Sequence, residues 1–369
     1  MYKVYKSDIS YFSGKLEAYL RYKEIPHSLV DCNQQILHMI ARKTGTQKMP
    51  AIEMDNGQWL YDTTPMLQWL EHQHPAGPTY PHDPALRFVA LLIEDYGDEW
   101  LWRPAMWWRW VPKVSRVTLG RRIAGAMISR HLAIPLGFYF GRRQLNEWLW
   151  KDGVDKHNSN AVRDMLYREL ELLEAVFATQ PFMLGSHPSV ADFGYFASMY
   201  RHFGNDPISA EVVRRKGPNT YEWLARLWNT KHSELSESID WVWPAADYWQ
   251  PLLRRIASDY LPYLHQNAKA FAQGQKHFDF IGDSLNFNNT VTTHYRVWCR
   301  QQLQHEFSQL NPSDQLRIEN LFKNAGGLAS LHSDGVIESG LGQQFSLPVE
   351  ATTVRKQSLR QSIFGQPRN

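Results

Sequence analysis

Three serines, Ser7, Ser10 and Ser13, stand close together near the start of the chain, with Tyr11 among them and Tyr5 just ahead. They lead into "KLEAYLRYKEIP", where Leu16, Ala18, Tyr19, Leu20 and Tyr22 interleave with Lys15, Glu17, Arg21 and Lys23 in a helical pattern. A hydroxyl at such a place has two uses. It can cap the helix by accepting one of the unpaired N–H groups of the first turn, or it can donate to an anion held near the positive end of the helix. Two further places carry chemistry. Met49-Pro50 in "QKMPAI" is an X-Pro bond, the peptide type that reaches the cis state at small cost. Asp62-Thr63 in "LYDTTPMLQWLE" opens a helix, where a hydroxyl and free N–H groups suit a carboxylate but an ordinary cap is also common.

The elements that must position these groups follow from periodicity. "YKVYK" (2–6) alternates as a strand, and residues 13–24 form the helix just described. "HSLVD" (27–31) reads as a second strand after Pro26, and "QQILHMIARK" (34–43) as a helix ending near Gly45. "PAIEMDNGQWLYD" reads as two strands joined at Asp55-Asn56-Gly57, and residues 63–73 as a helix. The order β-α-β-α-β-β-α predicts a small mixed sheet covered by helices. The Pro-rich stretch "HPAGPTYPHDP" (74–84) then reads as a connector.

Helical patterns dominate from there on, over 85–110, 118–150, 157–178, 189–203 and 218–230. "IAGAMISRHLAIPLGFYF" (123–140) contains Arg130, His131 and Pro135 and reads as a buried or aromatic-lined helix pair. Ser189 with Asp192 three residues on has the spacing of a capping box. The character changes again near residue 232: an aromatic connector at 240–251, a helix over 251–273, a small hairpin in "HFDFIGDSLNFNN", two helices near 295–324, and an irregular last forty or so residues.

Composition narrows the function classes. Apolar residues make up 43% of the 369, enough for two domains and a further module. The uncharged apolar run of a spanning helix is missing, and "MYKVYKSDIS" lacks a signal core, so neither membrane insertion nor secretion is expected. Two cysteines, Cys32 and Cys299, cannot build a disulfide framework or a four-cysteine metal site, which fits a reducing, cytoplasmic setting. The net charge of +3 is spread among acids, giving no reason to expect nucleic acid. His72, His74 and His82 do not have metal-site spacing, and no metal is expected. The 15 tryptophans concentrate in "EWLWRPAMWWRW" (99–110), which either fills a core or lines an apolar pocket.

Taken in order, these motifs resemble the cytosolic glutathione transferases over roughly residues 1–230. The resemblance implies a thioredoxin-like α/β domain with a mixed four-stranded sheet (1–75), a linker (76–84) and an all-α domain (85–231); residues 232–369 lie outside the family's usual length and read from their own pattern as a mostly helical extension with an irregular tail. It implies that glutathione is the co-substrate, that Met49 at a cis Pro50 pairs with its cysteinyl backbone, that Lys48 contributes to the same site, and that Asp62 and Thr63 meet the γ-glutamyl ammonium and carboxylate. It also implies a Ser/Thr-x-x-Asp cap in the helical domain, matched by Ser189 and Asp192.

Some classes of the family use a Tyr at the end of the first strand; others use a Ser or Cys just before the first helix. Aligned with the pattern Ser-Pro-Phe-Ser-x-Arg-Val-Glu, "SYFSGKLE" puts Ser10 on the active hydroxyl and Glu17 on the helix acid, departing at Tyr11 where Pro is usual. Tyr11 and Tyr5 remain rival hydroxyls. The implied reaction is attack of the glutathione thiolate on a hydrophobic electrophile, whose pocket would be walled by Trp100, Trp107 and Trp110; Arg103 and Arg109 read as surface residues, with contact to an anionic substrate as the alternative. The partners implied are glutathione, that electrophile and a second copy in a homodimer, without nucleic acid or membrane. A non-catalytic glutathione-binding or interaction module, or a glutathione-dependent isomerase or β-etherase, are the alternatives on the same fold.

Overall fold

Alternation along β1 (Tyr2–Lys6) sets the two faces of the first layer. Val4 points to one face and Tyr5 to the other, as successive strand residues must. The computed structural model of the chain describes residues 1–128, 131 and 133–351. In it β1 lies between β2 (His27–Asp31), to which it is parallel, and β3 (Ala51–Glu53), to which it is antiparallel; β4 (Trp59–Tyr61) closes the far edge, giving the order β2-β1-β3-β4. This is the expected mixed four-stranded sheet, with the hairpin turned at Asp55–Gly57.

Val4, Ile52 and Leu60 face α1 (Tyr11–Tyr22) and α3 (Thr63–Gln73) in the main hydrophobic core. Tyr5, Ala51, Trp59 and Tyr61 face α2 (Gln34–Thr44) and pack on its Ile40 in a second, smaller cluster.

The second part is all helical: α4 (Pro84–Asp95), α5 (Trp102–Trp110), α6 (Lys113–Met127), α7 (Ala133–Trp148), α8 (Ser159–Phe177), α9 (Val190–Ser198), α10 (Ser209–Lys216) and α11 (Pro218–Asn229). The continuous helix expected over 85–110 is interrupted by a π-helical turn at Tyr96–Trp100. The turn lies at a close crossing, where a Cβ on Gly97 would lie 3.0 Å from the backbone of Gly194 and Tyr195. The helix expected over 118–150 is two helices, α6 and α7, packed through Gly120 and Gly137. The pair is not buried throughout, since Ile134 and Phe138 are 61% and 60% exposed. Arg130 lies outside the described residues.

The extension continues as α12 (Gln250–Arg255), a π turn (Ile256–Tyr260), α13 (Leu261–Ala272), the hairpin β5 (His277–Ile281) and β6 (Asn286–Val291), α14 (His294–Ser308), α15 (Pro312–Phe322) and the single turn α16 (Ala329–His332). It is not a separate body. Its Tyr260, Tyr263, Phe307 and Phe322 belong to the same hydrophobic cluster as Val4, Leu20 and Leu92. The chain then returns to the first layer, where Trp59 and Val349 exchange both N–H···O bonds at 2.9 Å across the β4 edge. Residues 345–349, expected to be irregular, thus dock on the sheet. Residues 333–344 ahead of them form no helix or strand, and the tail beyond residue 351 lies outside the described residues.

Candidate active site

Register brings the three local motifs to one end of the sheet. Tyr5 pairs with Ala51, and Ala51 pairs with Tyr61. The residues that follow or precede these partners, the loop after Lys6, Met49-Pro50 and Asp62, therefore share an edge. The Met49–Pro50 bond is cis. Among the described residues, neither the Met49 N–H nor its C=O has a hydrogen-bond partner.

Ser10 is the N-cap of α1 and its Oγ accepts the Ser13 N–H at 3.3 Å. That contact uses a lone pair and leaves the hydroxyl proton without an acceptor among the described residues. Ser13 Oγ in turn accepts from the Ser7 N–H at 3.2 Å. The two rival hydroxyls are committed elsewhere. Tyr11 is buried and donates to the Gly97 carbonyl at 2.7 Å, and burial pushes its phenol well above its ordinary value. Tyr5 faces α2, stacks on Trp59 and donates to Glu53 Oε2 at 2.6 Å.

The loop ahead of Ser10 is fixed from the helical part, a feature that local sequence reading missed. Arg109 donates from Nη1 to the Ile9 carbonyl at 2.6 Å and forks onto Asp206 at 2.6 and 2.9 Å. Arg201 donates to the Asp8 carbonyl at 3.1 Å and pairs with Glu17 at 3.0 Å. Arg109 is 4% exposed and Arg103 1%, which corrects their reading as surface residues. Arg103 pairs with Asp152 and Tyr263. Both are buried because carboxylates distant in sequence fold onto them, and a buried guanidinium needs such a partner.

Below the site, Lys15 is enclosed between Glu94 and Asp98, and Thr64 Oγ1 donates to Glu94 at 2.8 Å. The two carboxylates hold the Lys15 ammonium above its ordinary range, while burial raises the Asp98 carboxyl.

Asp62 precedes α3 with φ 65° and ψ 120°, a conformation rare for a residue with a side chain. Its Oδ1 accepts a hydrogen bond from the Tyr295 hydroxyl at 2.9 Å, and burial raises its pKa against the opposing pull of Lys48. The Lys48 ammonium lies 5.5 Å from the centroid of the Tyr295 ring. Thr63 is buried at the first position of α3, with no partner for its N–H among the described residues.

The tryptophans expected to wall a pocket are placed apart. Trp100 is enclosed by Tyr260, Tyr263, Phe280 and Phe287; Trp110 is 2% exposed; Trp107 donates from Nε1 to Ser159 at 2.7 Å. The aromatic wall beside the Ser10 loop is instead Phe12 stacked on Trp102, with Trp148 edge-on to Trp102. Among the described residues, no group of three His, Cys, Asp or Glu side chains is arranged to hold a metal, and no helix is long and apolar enough to cross a membrane.

Comparison with known proteins gives a family. Residues 4–79 match the family model of the glutathione S-transferase N-terminal domain, and residues 131–230 that of the C-terminal domain. Among solved structures, a glutathione S-transferase from Rhodospirillum rubrum F11 is 16% identical, with 67% of this chain and 99% of that chain covered and a TM-score of 0.41. The beta-etherase LigF from Sphingobium sp. strain SYK-6 is 19% identical, with 61% and 94% covered and a TM-score of 0.45. A glutathione S-transferase from Methylobacterium radiotolerans, in complex with glutathione sulfonate, is 18% identical, with 61% and 89% covered and a TM-score of 0.36. No curated protein matches the chain.

Proposed function

The chain belongs to the glutathione transferase superfamily, and from that premise we propose that it is a glutathione transferase that activates the thiolate through Ser10. Three placements support this. Met49 offers an unpaired backbone to the cysteinyl part of glutathione. Asp62 offers a carboxylate to the γ-glutamyl ammonium, and the Thr63 N–H and hydroxyl at the start of α3 suit its carboxylate. Lys48 stands beside the same edge.

The observation that carries the reading is the state of Ser10. Its Oγ is held by its own helix while its proton stays uncommitted. A thiol near pKa ~8.5 is mostly protonated at neutral pH, so a hydroxyl donating to sulfur at a helix N-terminus lowers the cost of the anion. The thiol proton leaves to solvent. The sulfur lone pair then forms the bond to carbon, and the leaving group departs with the bonding pair. Phe12 and Trp102 form an apolar surface suited to the electrophile.

β-Etherase or isomerase chemistry would draw on the same thiolate. A non-catalytic binding module is favoured by one observation: Asp62 is already engaged by Tyr295. A homodimer in a reducing, cytoplasmic setting completes the proposal. Its interface would lie away from the β4 edge and from α4, both of which the extension covers. Thermal unfolding tests the reading. Millimolar glutathione is expected to raise the midpoint, as any ligand of the native state must, and an unchanged midpoint contradicts it.

A further inference from the structure

We propose that Tyr295 is a specificity-determining residue of this glutathione site, held over Asp62 and Lys48 by a strap formed by residues 344–350, and that it yields to ligands bearing a γ-glutamyl ammonium. The inference rests on the glutathione reading above. One side chain answers both charged groups that the site would present: its hydroxyl donates to Asp62 Oδ1 at 2.9 Å and its ring meets Lys48. Tyr295 is kept there from behind. Phe345 is edge-on to the Tyr295 ring at 6.0 Å and packs on Trp298 at 4.7 Å.

The strap itself is lightly attached. Phe345, Leu347 and Val349 alternate onto the Tyr61 and Trp59 face of the sheet and are only partly buried. Trp59 and Val349 exchange two backbone hydrogen bonds, Tyr61 donates to the Gln344 carbonyl, and the half-buried Gln58 meets the exposed Glu350 at 2.7 Å. Such a segment opens at small cost compared with the core. The helix that carries Tyr295 is the opposite case. The neighbouring Arg296 forks onto the buried Asp152 at 3.0 and 3.2 Å and donates to Tyr263 at 2.7 Å, so α14 stays while the strap moves. Release is then a rotation of the Tyr295 side chain once Phe345 withdraws.

Selectivity follows from charge. A phenol satisfies one lone pair of the Asp62 carboxylate without neutralising it. An ammonium does both, and in a buried setting the charged partner is favoured. Ligands with the cationic amino group therefore displace Tyr295, and analogues lacking it do not.

Gln58 and Glu350 flank the Trp59–Val349 pair, directly opposite each other in antiparallel register, at the spacing of about 4.5–5.5 Å between Cα atoms that a disulfide accepts. The full chain carrying Gln58→Cys and Glu350→Cys ties the strap to β4 when oxidised. Glutathione sulfonate is the probe, because it has no thiol to reduce the bridge. Calorimetry is expected to show binding weakened about tenfold or more in the oxidised form and restored by reduction, since apparent affinity scales with the open fraction. Tyr295→Phe, which keeps the ring and removes the competing donor, is expected to bind several-fold more tightly. Equal affinity of the oxidised and reduced forms, or weaker binding by Tyr295→Phe, overturns the strap alone. Absence of binding in every form, wild type included, overturns the glutathione reading and the strap with it.

Discussion

Arg109 holds the carbonyl oxygen of Ile9 at 2.6 Å, so a buried guanidinium of the helical part fixes the main chain immediately ahead of Ser10. The same guanidinium is locked by the Asp206 carboxylate. Arg109→Lys keeps the charge but cannot form the fork. It is expected to lower kcat about tenfold while the KM for glutathione changes little, the pattern of a misplaced reacting group. Arg109→Ala leaves Asp206 buried and unpaired and should cost ~3–5 kcal/mol of stability as well. Steady-state kinetics of Arg109→Lys with kcat unchanged would remove Arg109 from this positioning role.

Asp192 carries a structural load of its own. One carboxylate oxygen accepts from the Met183 N–H at 2.9 Å and the Trp223 Nε1 at 3.1 Å, and the other from the Ser189 N–H and hydroxyl, both at 2.9 Å. Asp192→Ala strands these buried donors and is expected to cost about 3 kcal/mol or more, since each unmade buried bond costs ~1–3 kcal/mol. Urea unfolding at constant m-value measures it, and a loss below about 1 kcal/mol would show that the donors find other partners.

Asp95 gives a pH signature. Burial pushes its carboxyl up to about 7, with the Tyr260 hydroxyl as its donor. An unfolded aspartate titrates near 3.9. Between these values the native state keeps a proton that the unfolded state has lost. The contribution is therefore full below about pH 4 and is lost as pH rises to about 7, by up to ~1.4 kcal/mol per pH unit. Asp95→Asn removes the titration. The stability difference between wild type and Asp95→Asn is expected to move in favour of the variant as pH rises through that window. Parallel pH profiles would contradict the assignment.

The legible parts of the fold and site were those written in neighbouring residues. Asp55-Asn56-Gly57 announces its hairpin, Met49-Pro50 and Asp62-Thr63 announce the sheet edge, and Ser189 with Asp192 announces a helix start. The facing of Tyr5 away from α1 was also within reach: Val4 and Tyr5 alternate, so only one of them can face α1. The tryptophan cluster was harder. Spacing at 99–110 shows a crowded helix but not its neighbours, and Trp100 is enclosed by aromatic residues of the extension. Arg103 and Arg109 look like surface cations until Asp152 and Asp206 fold onto them. The strap did leave a signal in the alternating Phe345, Leu347 and Val349, but its surroundings rich in Gly, Ser and Gln conceal it. What Tyr295 touches depends on a contact with Asp62 across most of the chain, which no local pattern encodes.

The central claim is that the Ser10 hydroxyl stabilises a bound thiolate. The most direct measurement is the ultraviolet thiolate absorbance of glutathione bound to the full chain, titrated against pH for wild type and Ser10→Ala. The account predicts that the bound thiol of wild type titrates at least about one unit below the free value of ~8.5, and that Ser10→Ala returns it toward that value while still binding glutathione. The same depressed titration in both proteins would contradict the account.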